Sequence, residues 1–440
     1  MQDDRRKVVI IGGGLVGSLC ACFMGQKGYD VFMYEKRPDP RKTAHTRGRS
    51  INLAISHRGR AALRSVGLEE IILESAIPMK GRLLHSKTGE LQSVLYDPIF
   101  NNCIYSVGRN FLNEVLLNAA ESYNNVTVKF NHNLVDVDFR REVIQLRNND
   151  TMEVFEETAD LIIGADGAHS ALRFAMLSTP MFQFSQTYID HGYLELRIPP
   201  ELGDKMTPNH LHIWPRGQFM MIALPNKDTS WTVTLFMPFK NFNSLGSEAK
   251  IIHFFDNTFP DAIPLIGKED LVQTFLNTKP SQLISVKCSP YHCGSKFLII
   301  GDAAHAMVPF YGQGMNSGFE DCTILNELLE RNNVKIEEII RQYSKIRVPN
   351  AQAICDLAMY NYVEMRDLVN RKSFRVRKTV DEVIFRLCPK TWIPLYNSVS
   401  FSNLDYSRCL RNKQSQDKVY NLLVGLFLLG LAYVLFNALN

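Results

Sequence analysis

Three short runs in this 440-residue chain set glycine and aspartate at the spacings that nucleotide binding needs. The first is Gly12-x-Gly14-x-x-Gly17, directly after the β-branched run Lys7 to Ile11. Glycine is needed there for the strand-to-helix turn, for backbone to approach a pyrophosphate, and for close packing of helix on strand, with the phosphate on the helix N-terminus. Glu35 follows 18 residues after Gly17, at the end of the next strand, where a carboxylate can accept from a ribose hydroxyl. The second run, Asp160 to Arg173, carries Asp166-Gly167 behind an apolar strand; taken alone, that pair is equally an ordinary turn. The third is Phe297 to His305, continuing to Gly312-Gln313-Gly314-Met315-Asn316. Asp302 sits in a tight loop at a strand end, able to take a second ribose or ribityl hydroxyl. The glycines that follow open a helix whose N–H groups and positive dipole end can face a ring oxygen.

The elements around these runs read as alternating units. Lys7 to Ile11, a helix from Ser18 to Lys27 and a strand from Asp30 to Tyr34 make a βαβ start. A helix is expected near Arg58 to Val66, and strands at Val126 to Phe130, Val143 to Leu146 and Asp160 to Gly164. From His191 the pattern becomes antiparallel: Tyr193 to Ile198, His210 to Pro215, Phe219 to Leu224 and Trp231 to Met237, separated by Pro, Gly and Asn turns. Phe297 to Ile300 returns to a buried strand, and beyond Pro349 the chain reads as mostly helical. Nucleotide-type segments at both ends of the antiparallel run imply one domain inserted into another.

Bulk composition narrows the function classes. Hydrophobic residues at 45% and charged ones at 21% describe a folded chain, and a net charge of +4 without aromatic-interleaved basic blocks argues against a nucleic-acid partner. Nine scattered cysteines lack paired CxxC spacing, which argues against zinc, and their odd number fits reduced thiols. No apolar signal region follows the charged N-terminus, which argues against secretion. Leu422 to Leu439 is 18 residues without a charge, about 27 Å as a helix and enough for a thin bilayer. A buried core helix or a dimerisation stripe is the competing reading, but a segment apolar on every face and terminal in the chain favours an anchor. Arg408, Arg411, Lys413 and Lys418 ahead of it place the main body in the cytosol. The basic run Arg366 to Lys378 is either a solvated helix face or a surface near anionic lipid.

Taken together and in this order, the GxGxxG start, the Asp-Gly strand and turn and the Gly-Asp-Ala-Ala-His segment resemble the class A flavoprotein monooxygenases of the p-hydroxybenzoate hydroxylase fold. The resemblance covers roughly residues 8 to 320. It implies an α/β architecture: a Rossmann-type FAD-binding domain (1–75, 101–180 and 288–345), an inserted antiparallel-sheet substrate domain (76–100 and 181–287), a C-terminal helical region (346–418) and a terminal membrane helix (420–440). FAD would be contacted at Gly12, Gly14, Val16, Gly17, the stretch Tyr34, Glu35, Lys36 and Arg37, Ala54, Arg109, Leu134, Asp166, Asp302, Gly314, Met315 and Asn316. Thr46 to Ala54, Leu211 to Arg216 and Met359 to Arg366 resemble the kynurenine-hydroxylating branch of that family. Such a substrate has a carboxylate, an ammonium and an aromatic amine. Arg82 can fork onto the carboxylate and Tyr96 can add a hydroxyl, although the residue type alone also fits a surface arginine. The resemblance places Arg82 and Tyr96 at the carboxylate, with Asn361, Glu364 and Tyr396 closing the amino-acid end. It implies NADPH and O₂ as co-substrates, and 3-hydroxylation of L-kynurenine in tryptophan degradation through a flavin hydroperoxide. No catalytic side chain is assigned, because the flavin carries the chemistry, and no metal is expected. It also implies the mitochondrial outer membrane, with a further tail where this chain stops. Another FAD-dependent aromatic hydroxylase or a flavin reductase of the same fold is the alternative.

Overall fold

The computed structural model describes residues 6–42, 52–330 and 334–439. Thr46 to Ile51 of the Thr46 to Ala54 segment lie outside them. The first layer is a six-stranded sheet in the order His292–Cys293, Phe297–Ile299, Leu161–Gly164, Lys7–Ile11, Asp30–Tyr34, Val126–Lys129. All of its pairings are parallel except that of the edge strand His292–Cys293. The strands are short β-branched runs because both faces are covered: Val9, Ile10, Ile162 and Ile163 are fully buried. On one side packs the helix Leu15–Gln26, whose Gly25 lies so close to Val126 that a Cβ there would stand 2.7 Å from its side chain.

Register is what turns this sheet into a site. Ile11 pairs with both Tyr34 and Gly164, and Gly164 pairs with Ile299. The residues that follow each strand therefore leave the sheet at one edge, its carboxyl end, where open α/β sheets bind ligands. Gly12, Glu35, Asp166 and Asp302 emerge together there.

The second layer is a seven-stranded sheet in the order Ser281–Ser289, Gln183–Ile198, Trp231–Pro238, Met220–Pro225, His210–Pro215, Gly81–His85, Leu91–Leu95. Gly81–His85 joins His210–Pro215 in parallel, and the other pairings are antiparallel. Period-2 alternation separates its faces. Leu194, Met221, Ala223, Val233 and Leu235 point into a core shared with Phe255 and Phe259 of the helical layer 248–277. Tyr193, Ile222, Leu224, Thr234 and Phe236 line a cavity on the opposite face. The antiparallel reading of 193–237 thus holds, with Gln183–Ile198 longer than its apolar half suggests.

Two smaller sheets, Asn52–Ile55 with Ile77–Met79 and Ile104–Gly108, and His132–Asp138 with Val143–Asn148 and Val154–Glu157, flank these layers. The helix Ile336–Arg366 begins ahead of Pro349 and continues through it. Proline costs a hydrogen bond there, but Tyr343, Arg347, Ile354 and Leu357 are buried on both sides of it and hold the helix in place. The last helix, Tyr406–Leu439, is packed at its start, where Tyr406 and Cys409 are buried, and exposed farther on at Leu422, Leu426, Leu429, Tyr433 and Phe436. It is the one helix among the described residues long and apolar enough to cross a membrane.

Candidate active site

A cavity of about 560 Å³ runs between the carboxyl edge of the first sheet and the inner face of the second. That is within the range of small-molecule and cofactor sites. At its phosphate end, Gly12 has φ +106°, and a Cβ on it would meet the Ala165 carbonyl oxygen at 2.5 Å. A Cβ on Gly17 would stand 1.9 Å from the Gly12 oxygen, so this glycine packs helix on strand and does not line the cavity. Gly14 differs: a Cβ there would meet nothing within 4 Å, leaving room for a ligand against the backbone that opens the helix Leu15–Gln26. Glu35 Oε2 accepts from Gly13 N (2.8 Å), and Oε1 accepts from Arg37 N (3.0 Å) and Nε (2.7 Å). Burial works against its charge, but the Arg37 contacts win and hold the carboxyl below the usual range. Glu35 is thus an ionised acceptor at neutral pH. Lys36, Arg37, Arg109 and Leu134 line the same end. Tyr34 lines it too, while its hydroxyl donates away from the cavity to Glu157 (2.7 Å).

In the middle, Asp166 Oδ2 accepts from Ala171 N (2.7 Å), whereas Oδ1 is buried without a partner. Burial raises this carboxyl above its ordinary value. An orphaned oxygen on a cavity wall is what an absent donor, such as a cofactor hydroxyl, leaves behind. Arg173 ties the Asp166 turn to the Asp302 loop by donating to Ala168 O (2.6 Å) and Ala303 O (2.7 Å). The Asp302 loop is held from behind by Asp321, which accepts from Gly301 N (2.7 Å), His305 Nε2 (2.6 Å) and Arg347 Nε (2.7 Å). Asp302 itself faces the cavity, as do Val16, Ala54, Gly314 and Met315. Asn316 does not. Its side chain is spent inside the protein, accepting from Ser56 N (2.8 Å) and donating to Ala54 O (2.8 Å) and Gly312 O (2.7 Å). Asn316 fixes the walls of the site where direct cofactor contact was expected. The glycines, Glu35 and the unpartnered Asp166 oxygen fit an extended dinucleotide such as FAD.

At the far end stand Arg82, Tyr96, Asn361 and Tyr396, drawn from four separate segments. Arg82 Nη1 donates to Glu364 (2.9 Å) and Nη2 reaches Asn361 Oδ1 at 3.4 Å, while Nε has no partner. Asn361 Nδ2 donates to Phe310 O (2.7 Å), which turns its oxygen toward Arg82. Tyr96 and Tyr396 stack at 4.7 Å and 9°, and the Arg82 guanidinium sits 5.0 Å from the Tyr396 ring. Burial opposes the Arg82 charge, but Glu364 outweighs it and the pKa is raised. The Tyr96 hydroxyl is buried and unpartnered, with its pKa raised by burial. Glu364 lies behind Arg82 and does not form the cavity wall, so its place is to hold the guanidinium. Lys378 belongs to the same charge cluster; burial, then Arg82, lowers its pKa. Arg173, Asp321 and Arg347 are the working residues that sequence reasoning passed over, and only Arg173, at the end of the Asp-Gly motif, carried a readable signal.

The FAD binding domain family model matches residues 5–358. A kynurenine 3-monooxygenase of Anopheles gambiae is 55% identical over 95% of this chain and 87% of its own length. That of Sus scrofa is 46% identical over 97% of this chain and 90% of its own length. The chain belongs to the kynurenine 3-monooxygenase family. Among solved structures, 2-methyl-3-hydroxypyridine-5-carboxylic acid oxygenase superposes with a TM-score of 0.67 at 21% identity, covering 81% of this chain and 90% of its own. PqsL of P. aeruginosa, in complex with 2-aminobenzoylacetate, does so at 0.67 and 18%, covering 83% and 97%. At such identities these two show the fold alone. The family is FAD-dependent, and both this chain and its relatives carry oxidoreductase chemistry on the aromatic hydroxylase fold.

Proposed function

We propose that this chain hydroxylates L-kynurenine at C3, with FAD bound in the cavity and NADPH and O₂ as co-substrates. The observation that carries the reading is the pairing, in one cavity, of a dinucleotide cradle with a buried arginine whose Nε is unpartnered. The bound flavin supplies the electron transfer and oxygen activation. The protein's own work is binding, orientation and exclusion of water. With Glu364 on Nη1, Arg82 keeps Nε free and Nη2 in only a long 3.4 Å contact with Asn361, an edge that can fork a carboxylate. Tyr96 adds its unpartnered hydroxyl, and Asn361 presents an amide oxygen fixed by Phe310. The ring of the substrate then lies against Ile222, Leu224 and Phe236, apolar side chains of the second sheet that keep water away. Asp166 and Asp302 take cofactor hydroxyls, and the N-terminus of the helix Gly314–Leu329 offers its positive dipole end to the ring system.

The exposed apolar helix supports a membrane anchor, and we read the membrane as the mitochondrial outer one, with the catalytic body in the cytosol. Purified protein given NADPH and L-kynurenine should oxidise NADPH in a substrate-dependent way and yield a product identified by mass and retention as the 3-hydroxylated compound. NADPH oxidation that L-kynurenine neither stimulates nor converts into hydroxylated product would refute the reading in favour of a reductase or another ring hydroxylase. Flotation with phosphatidylcholine vesicles tests the anchor.

A further inference from the structure

The helix Lys372–Leu387 sits between the substrate end of the cavity and the base of the apolar helix. Its inner side packs on the body, with Phe385 buried and Lys378 in the Arg82 and Glu364 charge cluster. At 100° per residue, Val376, Val380, Val383 and Leu387 fall within one narrow stripe opposite Phe385. Three of these are strongly exposed: Val376 at 57%, Val383 at 51% and Leu387 at 77%. Lys372, Arg375 and Arg386 flank that stripe, all exposed and without an acidic partner among the described residues. From Arg371 to Lys390 the chain has seven basic residues against Asp381 and Glu382. A solvated helix has no reason to expose an aligned row of valine and leucine, whereas an apolar stripe bordered by cations is the pattern of a helix lying in a lipid interface.

The position of this helix identifies what covers the stripe. Arg377 reaches Asp417 at 3.4 Å and lies 4.3 Å over the Tyr420 ring. Gln416 Nε2 donates to Ile393 O (3.0 Å) in the loop that follows. Tyr420 is two residues, about 3 Å of helix, from the start of the uncharged stretch at Leu422. A headgroup layer is roughly 5–8 Å thick, so a helix fastened at Asp417 and Tyr420 is held at headgroup depth once the anchor is inserted.

Resting on the anchor reading, we propose that the helix Lys372–Leu387 is a second membrane contact, lying on an anionic lipid surface with Val376, Val383 and Leu387 in the acyl boundary. The basic flank takes phospholipid headgroups, and the inner face carries that contact to the Arg82 end of the substrate cavity.

The test uses the full chain in vesicles of phosphatidylcholine alone or with about one-third phosphatidylserine. An environment-sensitive fluorophore is placed at Val383→Cys, in a Cys388→Ser background, and for comparison at Leu276→Cys on the exposed face of the helix Lys268–Asn277. At position 383 the emission should shift to the blue and be quenched by brominated lipid. Phosphatidylserine should strengthen the quenching by about twofold or more, and salt at about 0.5 M should remove that gain. Lys372→Glu/Arg375→Glu/Arg386→Glu should lose the phosphatidylserine dependence while retaining flavin and floating as before. Protein that floats while label 383 is quenched no more than label 276 overturns the proposal and leaves the anchor standing. Failure to float overturns both. A blue shift that grows with protein concentration in detergent and resists lipid quenching assigns the stripe to a second copy of the chain and overturns the proposal as well.

Discussion

Arg82→Met is the most informative single change, because the structure states what the guanidinium is doing before substrate arrives. One nitrogen is committed to Glu364 at 2.9 Å, the Asn361 contact is long at 3.4 Å, and Nε is idle. A carboxylate on the open edge gains two charge-assisted hydrogen bonds of about 1.5–3 kcal/mol each. Desolvation of the carboxylate offsets part of that gain. A net loss of about 3 kcal/mol, on the order of 100-fold in Kd, is expected when methionine replaces the arginine. Methionine keeps the aliphatic stem, so the loss reports the charged head, including its contact with the Tyr396 ring. The substitution also strands Glu364, whose side chain is 17% exposed, and a broken buried pair costs about 3–5 kcal/mol of stability. Arg82→Met/Glu364→Gln relieves that strain and separates binding from folding. The assay is a flavin-absorbance titration with L-kynurenine and with its decarboxylated analogue, on protein whose flavin content is measured first. The analogue should bind the native chain about 100-fold more weakly than L-kynurenine, and the double variant should bind both alike. If the double variant holds its flavin and its Kd for L-kynurenine changes less than about threefold, Arg82 does not bind the carboxylate.

Gly17→Ala drives a Cβ to 1.9 Å from Gly12 O and should abolish soluble folded protein, whereas Gly14→Ala, with open space around its Cβ, should fold but retain much less flavin, as read by circular dichroism and flavin absorbance. Asn316→Ala removes three hydrogen bonds that fasten the strand Asn52–Ile55 and the Gly312 turn; a cost of about 3 kcal/mol is expected, seen as a lower Tm with kcat retained at saturating FAD. The Asp321 carboxyl is fully buried; burial alone would raise it, but His305 and Arg347 hold it below its ordinary value of 3.8. A depressed carboxyl stabilises the fold above its unfolded pKa and loses that contribution as pH falls through the folded one. Thermal melts should therefore decline below about pH 4, and Asp321→Asn should lower Tm at pH 7 and flatten that acid limb; an unchanged limb would exclude Asp321 as its source.

The legibility of this chain follows the range of the interactions. The Gly12 turn, Glu35 and the Asp166 and Asp302 loops were readable because each is a local solution to one strand ending, and parallel register then brings them to one edge without further information. The helical layer at 248–277 was readable in principle, since Ile251, Phe255 and Phe259 recur at helical spacing. Arg82, Tyr96, Asn361 and Tyr396 were named by resemblance alone, because no spacing rule joins residues on four distant segments. Glu364 and Asn316 show the limit of that route. Both have side chains suited to a ligand, and both turn out to spend them on the protein. Asp321 and Arg347 were illegible for the opposite reason. On their helices they look like ordinary charges, and their value appears only when the Gly301 loop is set against them.

The unsatisfied atoms explain why the cavity exists at all. Asp166 Oδ1, Arg82 Nε and Tyr96 Oη are buried without partners, and a buried polar group left unpaired costs about 1–3 kcal/mol. Repacking with apolar side chains would remove that cost and fill the cavity. The fold instead holds each of the first two by its other atoms: Asp166 by Ala171 N and Arg82 by Glu364. Asp321, Arg347, Asn316 and Glu364 spend their hydrogen bonds on the protein so that the atoms facing the cavity remain free. The cost is recovered only when a ligand donates to Asp166 or presents a carboxylate to Arg82. The same few kilocalories that make the empty protein less stable thus become affinity, and they sit at the middle and the far end of one continuous channel, where the cofactor and the substrate must meet.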